Sequence, residues 1–340
     1  MPLDRYDRFR RLNDLGARGL KRLAGARVAI LGMGVIGCYI ADLLVRLGVG
    51  KLRIVDRDVL QPSDLGHQIL YNQDDVAQEL PKVDAAAKRL AAVNPSTKVE
   101  AIFGDINPKT ILEYLQSVDV ILEGLDNLAT RFLLNDAGLE SKLPWVYCSA
   151  AGMSAMVMGI PAGGKPCFRC LVPDYPASGS TPGCDTVGIW TPAAHWAAGY
   201  AVWIATQSLR EKWDGWGKLT TMDRFPDEIG TVTVNRDPTC PACADGNRAF
   251  LKGDKYPKAY QLCGRGEVTI VPASDRRLDI QQIKNQWDGP GKLETTPYFV
   301  RWRDDTHQVL IFDDGRVLIR GVQSIDEAQR LYGRLFARWM

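Results

Sequence analysis

The apolar run Arg27-Val-Ala-Ile-Leu31 passes straight into Gly32-Met-Gly-Val-Ile-Gly37, and helical periodicity follows through Arg46. A strand that ends on G-x-G-x-x-G and opens a helix predicts a βα unit whose turn backs onto a ligand. The glycines let the main chain approach a phosphate, and the helix N-terminus adds partial positive charge. A second run, Leu52-Arg-Ile-Val-Asp56, ends on a carboxylate 24 positions after Gly32. That spacing suits an acceptor for ribose hydroxyls. Gly32, Gly34, Gly37 and Asp56 are therefore candidate nucleotide-binding residues. The bland alternative is a tight strand–helix turn packed for its own sake.

Further strands are expected at 98–103, 119–122 and 145–149, with helices at 83–93, 110–116 and 129–139 between them. A helix is also expected at 10–24, ahead of the first strand. Alternation of this kind predicts an α/β fold, a Rossmann-like parallel sheet with helices on both faces. After Gly164 the pattern changes. Residues 172–183 read as a Gly/Pro/Ser loop, a Trp- and Ala-rich helix is expected from about Thr191, and a strand near 230–234. From about Tyr256 the pattern is α+β. Runs at 308–312 and 316–320 flank Asp313-Asp314-Gly315, a hairpin signal. Ser324 and Glu327 form a capping box for a last helix. The organisation expected is a nucleotide-binding domain with zinc knuckles at 1–255 and a small α+β domain at 256–340.

Cysteine spacing adds a second constraint. Cys167-x-x-Cys170 and Cys240-x-x-Cys243 are two C-x-x-C pairs in a chain with eight cysteines. Two knuckles complete a closed tetrahedral site with no open position, which predicts structural Zn2+. A redox reading is weaker, because neither pair opens a helix of a thioredoxin-like unit. Cys38 and Cys148 read as core residues. Cys184 lies in the loop and is a candidate nucleophile; Cys263 is ambiguous. Gly159 to Lys165 imitates a P-loop, but Pro166 occupies the position of the Mg-binding Ser or Thr.

Lys82 follows Pro81 at a helix start, and Asp126-Asn127 ends a strand. Alone, each has an ordinary reading, a solvated helix start and a helix N-cap. In an open parallel sheet both face the crevice of the glycine turn. Hydride transfer needs no such pair, so a nicotinamide-dependent oxidoreductase leaves Lys82, Asp126 and the cysteines unexplained. Nucleotidyl transfer needs a lysine for developing charge and a carboxylate for Mg2+.

With these motifs in place, the chain resembles the ThiF/MoeB/HesA family, relatives of the ubiquitin-activating enzymes, from Arg5 to about Gly246. Arg5-Tyr-Asp-Arg8 is similar to the family's R-Y-x-R. Pro81-Lys82, Leu125-Asp-Asn127 and Ala129-Thr-Arg131 match the triphosphate lysine, the Mg aspartate and the segment after it. Cys184-Asp-Thr-Val-Gly188 matches the crossover-loop cysteine, and Asp314 to Gly321 resembles a C-terminal extension found in part of the family. The resemblance implies ATP at the glycine turn, with Asp58, His67, Gln68 and Asn127 among the nucleotide-binding positions and Mg2+ on Asp126. It implies adenylation of a ubiquitin-like sulfur carrier ending in Gly-Gly, as in thiamine thiazole biosynthesis; the alternatives are a MoaD-type or other pathway carrier, or a catalytically weakened family member acting as a binding protein. Catalytic roles fall to Lys82, Asp126, Cys184 and Arg8, the last reaching across a homodimer. Asp64 and His67 stand where the family has Asn and Arg. They remove positive charge and predict weaker phosphate binding, unless a neighbour such as Arg57 takes over.

Composition limits the alternatives. Lys and Arg total 42 against 40 Asp and Glu, a net charge of +2 that gives no general attraction to nucleic acid. Residues 143–164 and 187–209 are uncharged, but prolines, glycines and polar residues interrupt them, so no membrane span is expected. Acids at Asp4, Asp7 and Asp14 break the basic N-terminal run, so a cytoplasmic protein is expected.

Overall fold

The computed structural model describes residues 4–13, 15–176, 187–209, 213–224, 228–257, 259–262, 267–271 and 278–336. The chain forms two compact units, Met1–Tyr256 and Pro257–Met340. Short helices α1 (Asp7–Arg10) and α2 (Gly16–Gly25) precede β1 (Arg27–Leu31). Then come α3 (Val35–Leu47), β2 (Lys51–Asp56), a 3-10 turn (Pro62–Gly66), α4 (Gln73–Ala77) and α5 (Lys82–Val93). They are followed by β3 (Lys98–Phe103), α6 (Ile111–Tyr114), β4 (Val120–Glu123), α7 (Leu128–Ser141), β5 (Trp145–Ala151) and β6 (Ser154–Ile160). The unit ends with α8 (Phe168–Leu171), α9 (Thr191–Ser208), β7 (Lys218–Asp223) and β8 (Glu228–Thr233).

One sheet runs in the order β3-β2-β1-β4-β5-β6-β7-β8. The strands from β3 to β5 are parallel; β6, β7 and β8 add on antiparallel. The order reverses direction beside β1, which opens a crevice at the carboxyl ends of β1 and β4. α3 and α9 pack together over this sheet. Alanines 193, 194, 197, 198 and 201 are fully buried and let α9 lie close, while Trp203 stays half exposed on its outer side. No helix among the described residues is long and apolar enough to cross a membrane.

Two expectations change. The helix expected at 10–24 is split, because the chain turns after Arg10 and restarts at Gly16, a glycine with φ +51°. The capping box is only half reciprocal: Ser324 Oγ accepts from Glu327 N–H, but the Glu327 carboxylate accepts from Gln323 N–H. The N-terminal segment is clamped at the base of the unit. Arg5 donates to the Val93 carbonyl at 2.8 Å, and the Tyr6 hydroxyl accepts from Asn94 Nδ2 at 2.8 Å. The Tyr6 ring also fills the space beside Gly48, the C-cap of α3.

The second unit is a six-stranded antiparallel sheet, β11-β12-β13-β14-β10-β9. Its strands are β9 (Ala259–Leu262), β10 (Glu267–Ile270), β11 (Lys292–Thr295), β12 (Phe299–Arg303), β13 (Gln308–Phe312) and β14 (Val317–Arg320). The last two form the hairpin that the sequence signals. Helices α10 (Ile280–Asn285) and α11 (Ile325–Phe336) share one core with Val300, Trp302, Val309, Ile311 and Ile319.

The glycine hexad divides into two roles. A Cβ on Gly37 would lie 2.0 Å from the Gly32 carbonyl oxygen, an overlap with backbone that cannot step aside. A Cβ on Gly34 would meet nothing closer than 3.9 Å, and its φ of −74° is open to any residue. Gly37→Ala should therefore cost about 3 kcal/mol and lower the melting temperature by roughly 10 °C. Gly34→Ala should leave it within about 2 °C. Thermal melts of the two variants check the contrast; equal melts would contradict it.

Candidate active site and cysteine cluster

Asp56 ends β2 and turns its carboxylate back onto the glycine turn. One oxygen accepts from Met33 N–H at 2.6 Å and the other from Asp58 N–H at 2.7 Å. The group is 8% exposed. Burial, and then the nearby Asp58 carboxylate, push its pKa up to about 6 against the pull of Lys82 and the Met33 N–H. The sequence placed Asp56 beside a ribose; the geometry also makes it a brace for the loop.

Lys82 is the first residue of α5. An isolated bridge between Val59 and Pro81 and the Lys82 N–H on the Asp58 carbonyl pin it beside the end of β2. Its side chain is buried, with Nζ 3.2 Å from Asp58 and 3.5 Å from Asp64. The solvated helix start is thus excluded. Asp64 is fully buried, and its oxygens accept from Gln61 N–H at 2.9 Å and Gln68 Nε2 at 2.8 Å. Asp64 is therefore not an open charge facing the crevice. It instead faces Lys82 from within the protein. His67 is half-buried, its ring 3.3 Å from Gln68 Nε2.

Asp126 follows β4 and is exposed. The N-cap of α7 is Asn127, which accepts from Thr130 N–H at 2.9 Å, so Asp126 does not serve as the cap. Asn127 Nδ2 donates to one Asp126 oxygen at 3.2 Å. Beneath the loop lies a buried pair that motif reading missed. Arg131 Nε donates to both Glu123 oxygens, at 3.1 and 3.0 Å, and its Nη2 donates to the Leu125 carbonyl at 2.6 Å. Glu123 is fully buried and also accepts from Cys148 N–H. Removing either partner of such a pair costs about 3–5 kcal/mol.

Arg57 is also committed. It lies 3.0 Å from Asp105 and 3.9 Å from Asp58. Burial pulls its pKa down, but Asp105, Asp58 and Asp126 outweigh that and raise it. Asp105 follows β3 and was equally overlooked, although the rule that singled out Asp56 applies to it. Among the described residues, Asp56, Asp58, Asp64, Asp105 and Asp126 thus share this edge with Lys82 and Arg57, and Arg131, already paired with Glu123, lies beneath Asp126. A triphosphate entering such a site needs further positive charge.

Arg8 does not join this group. It lies on α1, exposed, next to the residues clamped at the C-terminal end of α5. Lys82 is at the other end of that 12-residue helix, about 18 Å away along its axis. Cys184 and Cys263 lie outside the described residues.

The two C-x-x-C pairs meet. Cys167 and Cys240 sulfurs are 3.6 Å apart, Cys170 and Cys243 also 3.6 Å, and Cys167 and Cys170 4.0 Å. Four sulfurs about 2.3 Å from one ion stand about 3.8 Å apart, so the cluster fits tetrahedral zinc. Burial, and then the three neighbouring sulfurs, raise the Cys167 pKa.

The chain matches the ThiF family over residues 6–242. It is 33% identical over 331 residues to the sulfur carrier protein ThiS adenylyltransferase of Bacillus subtilis, covering 96% of this chain and 98% of that one. It is 31% identical over 261 residues to the SAMP-activating enzyme E1 of Haloferax volcanii, covering 76% and 96%. Its fold is like that of E. coli MccB, in a crystal structure with ATP, at a TM-score of 0.62 and 20% identity over 72% of this chain and 75% of MccB.

Zinc removal tests the cluster. A closed four-thiolate site contributes on the order of 10 kcal/mol to folding. Elemental analysis should find about one zinc per chain. Stripping it with a strong chelator should collapse the cooperative melt of the first unit, and restoring zinc should bring it back. Metal-free protein with an unchanged melt would contradict this reading.

Proposed function

This chain belongs to the ThiF family, and from that we propose that it is an ATP-dependent adenylyltransferase for a ubiquitin-like sulfur carrier. The support that carries the reading is that Lys82, pinned beside the end of β2, and Asp126, just after β4, both lie at the carboxyl-end edge of the parallel sheet where β1 runs into the glycine turn. No simpler nucleotide-binding role needs both.

The carrier's C-terminal carboxylate oxygen attacks the α-phosphorus of ATP. An O–P bond forms, the bond from the α-phosphorus to the bridging oxygen breaks, and pyrophosphate leaves with that electron pair. The product is an acyl-adenylate. The N-terminus of α3 and Gly34 receive the phosphates, with no side chain intruding at Gly34. Asp56 accepts from the ribose. Lys82 offsets charge on the phosphates as pyrophosphate departs, the moment at which a fixed cation is worth most. Asp126 has one oxygen left over from Asn127 and is the residue to hold Mg2+. Bound there, Mg2+ would neutralise the phosphates in a site otherwise rich in carboxylates.

The carrier is ThiS-like in this reading, and the pathway thiamine thiazole synthesis. The support is the ThiS adenylyltransferase relative, whose match runs through both units. Cys184 is assigned to the sulfur step after adenylation. The enzyme works as a homodimer. Arg8 is held at the far end of α5 from Lys82, too distant to serve its own site, so a second copy supplies it.

Carrier-dependent ATP–pyrophosphate exchange is the direct test. Asp126 is exposed, so Asp126→Ala should lower exchange about 100- to 1000-fold with the melt unchanged. Lys82→Ala should lose as much exchange and also stability, because the buried Asp64 carboxylate loses the cation 3.5 Å away and Asp58 loses the nearer of its two. Exchange near the wild-type rate in Asp126→Ala would refute the assignment.

The trans arrangement has its own signature. Arg8→Ala and Asp126→Ala chains should each be inactive alone. Mixed one to one and allowed to exchange subunits, they should recover about a quarter of wild-type activity, since half the dimers regain one complete site. An arginine acting within its own chain would recover none.

A further inference from the structure

Tyr256 ends the first unit, 14 residues past the segment that matches the family. Its ring is buried at 7% exposure. The segment before it is tied to α7, because the Asp136 carboxylate accepts from Phe250 N–H at 3.0 Å and Leu251 N–H at 3.4 Å. The Tyr256 hydroxyl donates to the Ile106 carbonyl at 3.0 Å and lies 3.4 Å from Thr130 Oγ1. Ile106 belongs to the loop after β3 and Thr130 to the first turn of α7. One phenol thus links the two loops whose carboxylates flank the crevice.

Each loop leads to a charged group. On one side, Asp105 precedes Ile106, and its oxygens take Arg57 at 3.0 Å and Asn107 Nδ2 at 3.1 Å. On the other, Thr130 N–H donates to Asn127 Oδ1, and Asn127 Nδ2 donates to Asp126. The path from Tyr256 to the Asp126 carboxylate passes through only two residues. Phenylalanine would fill the same space, so packing alone does not require a hydroxyl. A buried hydroxyl is costly without partners, and here its partners, the Ile106 carbonyl and Thr130 Oγ1, lead to Asp105 and Asp126.

We propose that Tyr256 is a positioning residue. Its hydroxyl fixes the spacing between the Asp105 and Asp126 loops and so holds the Asp126 carboxylate in the orientation that receives Mg·ATP. This rests on the adenylation reading for its chemistry, but its first consequence is for binding.

The test uses the full chain carrying Tyr256→Phe, Thr130→Val or both. Calorimetry measures Mg·ATP binding without carrier, and exchange with carrier is followed against Mg2+ concentration. Tyr256→Phe should weaken Mg·ATP binding and raise half-saturating Mg2+ by about five- to tenfold, the effect of one buried hydrogen bond. The rate at saturation should stay within about twofold. Thr130→Val should reproduce the shift, and the double variant should be no worse than the weaker single variant, because both break one path. Unchanged Mg·ATP binding in Tyr256→Phe would overturn the inference. So would a lower saturating rate with unaltered half-saturation, or additive losses in the double variant. A wild-type chain that binds Mg·ATP, shows the Tyr256 effect and yet gives no carrier-dependent exchange would refute the adenylation reading and leave this inference standing. A wild-type chain that binds no Mg·ATP would overturn both.

Discussion

Gly32, Gly37 and Gly124 bring three stretches of backbone into direct contact where β1, α3 and β4 meet. A Cβ on Gly124 would lie 2.7 Å from the Gly32 carbonyl oxygen and 2.8 Å from the Gly37 nitrogen. With no side chains between them, the first turn of α3 sits on the end of β4. The amide groups of that turn are thereby aimed at the space beyond the strands. Asp56 completes the arrangement by holding Met33 N–H, and Arg131 holds the Leu125 carbonyl on the opposite side. The position of Asp126 thus descends from a packing requirement that only glycine meets.

The electrostatics of the crevice follow from burial as much as from sequence. Lys82 is surrounded by protein and already shared by Asp58 and Asp64. Any anion that binds Lys82 must draw it from Asp58 and from Asp64, whose carboxylate is held by the Gln61 N–H and Gln68 Nε2. An asparagine at position 64 would accept the Gln61 N–H equally well without claiming the cation. Asp64 therefore sets how much of the Lys82 charge is left for any other anion.

Much of this was legible in the sequence, for identifiable reasons. The β1–glycine–α3 unit, the end of β2 and the cysteine knuckles are local patterns whose spacing is fixed by covalent geometry. That Lys82 would stand beside the end of β2 and Asp126 just after β4 was inferable from strand order. Glu123, Asp105 and Tyr256 were not. Glu123 lies one position past the strand expected at 119–122 and reads as an ordinary loop carboxylate until Arg131, eight positions on, is folded back against it. Tyr256 gains its meaning from Ile106, 150 residues earlier. The strand β7 was missed because its polar threonines face neighbours that only the sheet supplies. The split of the N-terminal helix at Gly16 was missed because amphipathic spacing continues through the break.

The cysteine cluster carries a consequence for synthesis. Its two halves are separated by 73 residues, and at 5–20 residues per second a ribosome needs roughly 4–15 seconds to add that length. During that interval Cys167 and Cys170 have emerged without their partners, a bare dithiol able to oxidise or to take an ion in a half-formed site. The first unit becomes committed only when the second knuckle leaves the ribosome. Only from that point can four sulfurs close around one ion.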